Sequence, residues 1–288
     1  MFLAPLASKI REISDKAFCP IKSMTIVLEP GLYHLPLNLA WVPDDSNEKG
    51  NKRFFAFGND MPLACCCDLS FSLNLTAHFL EGRRDYVNSA KSGDDELFVL
   101  HHCNKAKDGF NDSAGFGRLE NIAQKWGECG KLIKNATHDD ISNCLANRAE
   151  FLMFACHGAS LESGPILRFN GCNMVSDNLA YSVALHGNRL LLLGACDSAT
   201  PTIDTYGKFI GAFVAAGAGA ILANPCQAPI ETVCNVAADT LAAISDSRST
   251  VNVAEQLRAG ATNCIEKYQG IFGDDDSKIF ASTYQLWL

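Results

Sequence analysis

The sequence predicts an α/β fold built on a mostly parallel central sheet, and three observations carry that prediction. The second half of the chain alternates short apolar runs with amphipathic segments of helix length, the pattern of βαβ units. Two of the runs, Glu150–Gly158 and Arg189–Ser198, are almost continuously apolar, as strands covered on both faces must be. Each run ends abruptly in a reactive residue, His157 in the first and Cys196 in the second. In open parallel sheets ligands meet the chain just beyond the carboxyl ends of the strands.

The elements follow in order. Met24–Leu28 reads as a strand stopped by Pro30-Gly31, and Asp44–Arg53 as a charged surface loop. Phe54–Phe57, Leu69–Leu75 and Glu96–His102 are further strand candidates. Asn104–Arg118 carries Gly109, Gly115 and Gly117 and is expected to be a flexible, nickable loop. Leu119, Ile122 and Trp126 then recur at helix spacing. Thr137 can cap a helix over Asp139–Asn147 with Ile141 and Leu145 facing inward.

In the second half, Pro165–Phe169 is a short strand after the His-bearing one, and Ser176 can cap a helix through Ala184. After the Cys-bearing strand, Gly207–Ala216 forms a helix that stops at Gly217 and Gly219. Ala220–Ala223 is a strand broken by Pro225. Ile230–Ile244 and Val251–Tyr268 are amphipathic helices, and Phe280–Leu288 is a β-prone tail. The apolar stripe of Val251–Tyr268 suits either core packing or a dimer surface.

Composition narrows the function. A chain of 288 residues with 48% hydrophobic and 19% charged residues can bury a substantial core. The net charge of -8 argues against a nucleic-acid partner. Met1–Ala7 is too short for a secretory leader, and Phe209–Ala223 is too short to span a bilayer, so a cytoplasmic protein without a membrane partner is expected. Thirteen cysteines, an odd number, with no leader and no CxxC, do not suggest a disulfide framework. Cys65-Cys66-Cys67 and His101-His102-Cys103 invite a zinc reading. Adjacent residues of a strand face opposite ways, however, and such triplets converge poorly on one ion. Neither metal nor cofactor is expected, and most of the thiols read as buried small hydrophobes.

The chemistry rests on two side chains 39 positions apart. A thiol beside an imidazole is the minimum apparatus for cysteine-based acyl transfer. Taken singly, His157 reads as a turn residue and Cys196 as a core thiol. Together they share one kind of strand end, and small residues follow each: Gly158-Ala159-Ser160 and Asp197-Ser198-Ala199 leave room for a substrate backbone. Cys156 is the weaker nucleophile candidate, because its strand position turns it to the other face from His157. The serine nucleophile elbow lacks its second Gly, the dinucleotide fingerprint its third, and no Gly-rich loop carries the Lys-Ser or Lys-Thr pair of a phosphate loop.

At these segments the sequence resembles the CHAT family, caspase-like peptidases related more distantly to separase. Phe154-Ala155-Cys156-His157-Gly158 is similar to the family's His motif and Leu193-Gly194-Ala195-Cys196-Asp197-Ser198 to its Cys motif. Gly207–Ala218, Ala220–Pro225, Ala281–Leu288 and Glu29–Pro36 extend the likeness, which is thin between Trp41 and Ile133. The resemblance implies a caspase–hemoglobinase-like three-layer sandwich, with a degenerate half over residues 1–145 and a catalytic half over residues 146–288. It implies a cysteine endopeptidase in which His157 and Cys196 cleave a protein substrate and the amides of Gly158 and Cys196 hold the oxyanion. The sequence shows no repeats of the kind many relatives carry, so the resemblance implies targeting and regulation by a separate protein partner or by the first half. Many relatives act in defence or regulated cell death, by analogy only. Asp197 and Asp204 could line a pocket for a basic side chain, as in some relatives; solvated surface carboxylates are the competing reading. The alternative to a peptidase is a catalytically silent caspase-like interaction module, suggested by the cysteine-rich, divergent first half.

Overall fold

A computed structural model of the chain describes residues 9, 12–13, 20–27, 37–42, 61–72, 87–88, 94–102, 113–147, 149–161, 164–176, 185–195, 208–224, 230–246, 251–272 and 284–288. The described strands are β1 (Ser23–Val27), β2 (Trp41–Val42), β3 (Met61–Pro62), β4 (Asp68–Ser72), β5 (Leu97–His101), β6 (Gly130–Lys134), β7 (Phe151–Ala155), β8 (His157–Leu161), β9 (Gly164–Phe169), β10 (Cys172–Val175), β11 (Leu190–Gly194), β12 (Ile221–Ala223) and β13 (Gln285–Trp287). The described helices are α1 (Leu63–Cys66), α2 (Ser113–Lys125), α3 (His138–Ala146), α4 (Lys208–Ala215), α5 (Ile230–Asp246) and α6 (Val253–Phe272).

Eight of these strands form one sheet in the order β1-β4-β13-β12-β11-β7-β5-β6. Every pairing is parallel except β12 with β13, so the sheet is two parallel blocks joined at one antiparallel seam. The alternation of the strands sorts their side chains onto two covered faces. Phe98, Leu100, Leu152, Phe154, Leu191 and Leu193 pack with Ile141 of α3 and Phe209 and Phe213 of α4. Leu97, Val99, Phe151, Met153, Leu190 and Leu192 pack with Leu119 and Ile122 of α2, Leu241 of α5 and Leu257 of α6. Helices on both sides of a mostly parallel sheet make the three-layer α/β sandwich expected from the sequence. The stripe of α6 is core: Val253, Leu257, Ala261 and Cys264 are all buried.

Local signals explain most element ends. Thr137 caps α3 in a reciprocal capping box: its side chain accepts from the Asp140 N–H, and the Asp140 carboxylate accepts from the Thr137 N–H at 2.8 Å and hydroxyl at 2.7 Å. Helix α4 ends where the Gly217 N–H donates to Val214 O and the Ala218 N–H to Phe213 O, with Gly217 at φ 104°.

Three expectations need correction. The loop expected over Asn104–Arg118 gives way to helix from residue 113, so Gly115 and Gly117 lie inside α2. Burial of Leu119 and Ile122 against the sheet and the bond from Arg118 Nη1 to Asn235 Oδ1 (3.0 Å) on α5 outweigh the poor helix propensity of the two glycines. The Cys65–Cys67 triplet is not on a strand; Cys65 and Cys66 lie in the short helix α1 and Cys67 follows it, all buried. The third correction is that β8, β9 and β10 form a separate antiparallel sheet in the order β10-β9-β8. His157 therefore opens a strand rather than standing in a loop. Phe54–Phe57 and the helix proposed after Ser176 lie outside the described residues.

Candidate active site

Strands β5, β7 and β11 are neighbours, run parallel and end together. His101 lies opposite Ala155, and Gly194 lies opposite Ala155 from the other side. The chain beyond each end is held by its neighbour. The His102 N–H donates to Ala155 O at 3.0 Å, and the Cys156 N–H donates to Gly194 O at 3.3 Å. Next along, Asn224 follows β12 fully buried, and its Nδ2 donates to Leu193 O (3.4 Å) and Ala195 O (3.5 Å), fixing the exit of β11. Four consecutive strands thus deliver His102, His157, Ala195 and Asn224 to one edge of the sheet.

His157 is half-buried, whereas Cys156 before it is sealed in the apolar cluster with Phe154 and Leu193. The two neighbours, on either side of the break between β7 and β8, thus differ in exposure. Gly158 follows in β8, opposite Leu167 of β9. Arg168 lies opposite His157 in that antiparallel pair and is exposed, so a cation flanks the imidazole from the small sheet. Cys196, Asp197 and Asp204 lie outside the described residues; the described chain of β11 reaches Ala195, the residue before Cys196.

The sequence reading gave two residues at this edge no catalytic part, and weighed His102 only within the triplet His101-His102-Cys103. Asn224 had no motif to mark it. His102 did carry a signal: it follows a third apolar run, Leu97–Leu100, in the same manner as the other two reactive residues. The two histidines at that end have different surroundings. The His101 ring packs edge-on against Phe116 of α2 with centroids 4.5 Å apart. His102 is half-buried, its Nδ1 is enclosed, and that atom has no hydrogen-bond partner among the described residues. Burial first, then the neighbouring His101 and His157, holds its imidazole below the usual histidine range.

Other thiols are poorly placed for chemistry. Burial, followed by the charge of Asp68, pushes Cys67 up to about 12, with Arg258 pulling it down and Cys65 adding a smaller push up. Burial does the same to Cys144, also to about 12, and raises Cys66 further still. Such thiols stay protonated at neutral pH and are inert as nucleophiles. Among the described residues no three His, Cys, Asp or Glu side chains converge on a point that could hold a metal ion. No described helix is long and apolar enough to cross a membrane.

The CHAT domain model matches residues 1–233. The chain belongs to the CHAT domain family. No curated protein sequence matches it. In fold, this CHAT domain is similar to the Arg-specific cysteine proteinase gingipain R (RgpB), at 13% identity and a TM-score of 0.57, over 97% of this chain and 66% of that one. A chain of the complex of Porphyromonas gingivalis RgpB pro- and mature domains aligns at 13% identity and a TM-score of 0.56, over 97% and 67%. A chain of the Saccharomyces cerevisiae separase–securin complex aligns at 12% identity and a TM-score of 0.52, over 77% of this chain and 14% of that one. At these identities the likeness is one of fold: the CHAT domain adopts the architecture of caspase-like cysteine peptidases.

Proposed function

We propose that this CHAT domain is a cysteine endopeptidase that cleaves a protein substrate with His157 as base and Cys196 as nucleophile. The observation that carries the reading is the register of β7 and β11. Gly194 lies opposite Ala155, two residues before Cys196 in one strand and two residues before His157 in the next. Ligand sites of parallel sheets occupy this edge.

In the proposed reaction His157 takes the Cys196 proton and the thiolate attacks the peptide carbonyl carbon. The C–N bond breaks as His157 returns the proton to the leaving amine. Water, deprotonated by His157, then releases the acid from the thioester. The amides of Gly158 and Cys196 are the proposed oxyanion donors, each worth about 3–4 kcal/mol by analogy with other acyl-transfer enzymes. Asp197 and Asp204 are proposed to receive a basic substrate residue. A separate protein partner is proposed to regulate access, in a cytoplasmic defence or cell-death setting.

The test is alkylation of Cys196 by iodoacetamide at pH 7, followed by peptide mass spectrometry. His157→Ala is expected to slow modification of Cys196 at least about ten-fold, because the neighbouring imidazole supplies the thiolate. Equal rates in the parent and His157→Ala would leave a caspase-like module without a working dyad.

A further inference from the structure

His102 is the titratable residue at the sheet edge that the proposed reaction leaves unused. Its position is set by the backbone: its N–H is bonded to Ala155 O, on the strand that leads into His157. Strand β7 lies between β5 and β11. His157 is therefore approached by His102 from one neighbouring strand end and by the segment leading to Cys196 from the other.

The state of the ring follows from its surroundings. An imidazole that is half-buried beside two other histidines stays neutral at pH 7, carrying one ring proton. The enclosed Nδ1 has no hydrogen-bond partner among the described residues, and a buried ring nitrogen left so is disfavoured unless something makes use of it. A catalytic base in an acyl-transfer site is in turn oriented by a third group, and hydrogen bonds of such sites are often loose before substrate binds.

We propose that His102 is a positioning residue for His157, its Nδ1 lone pair accepting the His157 ring N–H and so turning the other ring nitrogen toward Cys196. This inference rests on the dyad reading above. It adds that the His157 tautomer is selected by the side chain just beyond β5 rather than left to solvent. No proton is transferred to His102 in the cycle. It accepts a hydrogen bond, and the proton that leaves Cys196 travels to His157 and then to the leaving amine.

The side-chain geometry makes the test sharp. An Asn placed at 102 presents its Oδ1 where the imidazole holds Nδ1, whereas Gln reaches to the place of Nε2. The full chain, labelled with 15N-histidine, is compared as parent, His102→Asn, His102→Gln and His102→Phe, with the His157 signals assigned by His157→Gln. The 15N shifts report the tautomer ratio of His157 directly. Parent and His102→Asn are expected to hold one tautomer. In His102→Gln and His102→Phe the ratio should move toward the other by about two- to ten-fold, the range a hydrogen bond of ordinary net strength supports. Should the Phe variant not fold, the contrast of Asn with Gln decides. An unchanged ratio in His102→Gln, or the same ratio in all folded variants, overturns the proposal. Alkylation of Cys196 measured on the same samples separates the two ideas. If it ignores His157, the dyad fails whatever the tautomer; if it needs His157 while the tautomer ignores His102, only the positioning role fails.

Discussion

Two half-buried imidazoles, His102 and His157, stand just beyond the ends of adjacent strands. His102 has a lowered pKa, caused by desolvation and then by His101 and His157. The unfolded chain protonates this histidine near pH 6.5, while the native state resists. As pH falls below about 6.5 the unfolded state binds the extra proton, so native stability falls with pH until the depressed native value is passed. A plot of urea midpoint against pH should therefore slope downward from pH 7 to 5, and the slope should lessen in His102→Asn. Identical slopes would show that the imidazole titrates alike in both states. Asp140 has linkage of the same sign in a lower pH window. Bonds from the Thr137 hydroxyl and then its N–H depress the carboxyl, and that contribution is present above the usual carboxylate range and lost as pH falls through the depressed value.

At the scale of elements, the sequence was legible where periodicity and capping agreed. Thr137 as a cap, with Ile141 and Leu145 at helix spacing, announced α3, and the apolar runs ending at Ala155 and Gly194 announced β7 and β11. It misled where a local signal met a tertiary one. Gly115 and Gly117 read as breakers, yet the segment packs on α5 and stays helical. His157–Leu161, a run of His-Gly-Ala-Ser-Leu, has little strand character of its own. It becomes β8 because Gly164–Phe169 pairs with it from Leu161 opposite Gly164 back to His157 opposite Arg168. Pairing of that kind is invisible to a one-strand pattern, which is why His157 looked like a loop residue. Other turns are dictated by backbone conformation alone. At Gly217 the φ of 104° already disfavours any side chain, and a Cβ would stand 2.9 Å from the His186 backbone. Gly217→Ala is thus expected to destabilise by about 1–3 kcal/mol in urea unfolding. A loss below about 0.5 kcal/mol, the scatter of ordinary surface changes, would show that the α4 end relaxes without strain.

Across the whole molecule, the sheet edge that carries the candidate site is kept in register from its opposite end. Arg189, just before β11, donates from Nη1 to Asp95 Oδ2 at 2.8 Å and stacks over Phe151, its Cζ 4.9 Å from the ring centroid. Both partners of this ion pair are buried, with side-chain exposures of 7% and 10%. It fastens the entries of β5, β7 and β11 together before their exits present His102, His157 and Ala195. Removing one partner leaves the other charge buried, so Arg189→Met is expected to lose about 3–5 kcal/mol, whereas Arg189→Met with Asp95→Leu should recover most of it. Equal losses in the single and double variants would show that the pair acts through packing alone. The CHAT domain match and the shared architecture of gingipain R and separase agree with this frame, which supplies strand ends and leaves the chemistry to the residues placed on them.

The most direct measurement of the central claim is a comparison of new protein N-termini, by mass spectrometry, in cells co-expressing the parent chain or Cys196→Ala. The account expects a small set of cleavage products with the parent and none with Cys196→Ala, both chains being folded and equally abundant. The same products from both chains would contradict it.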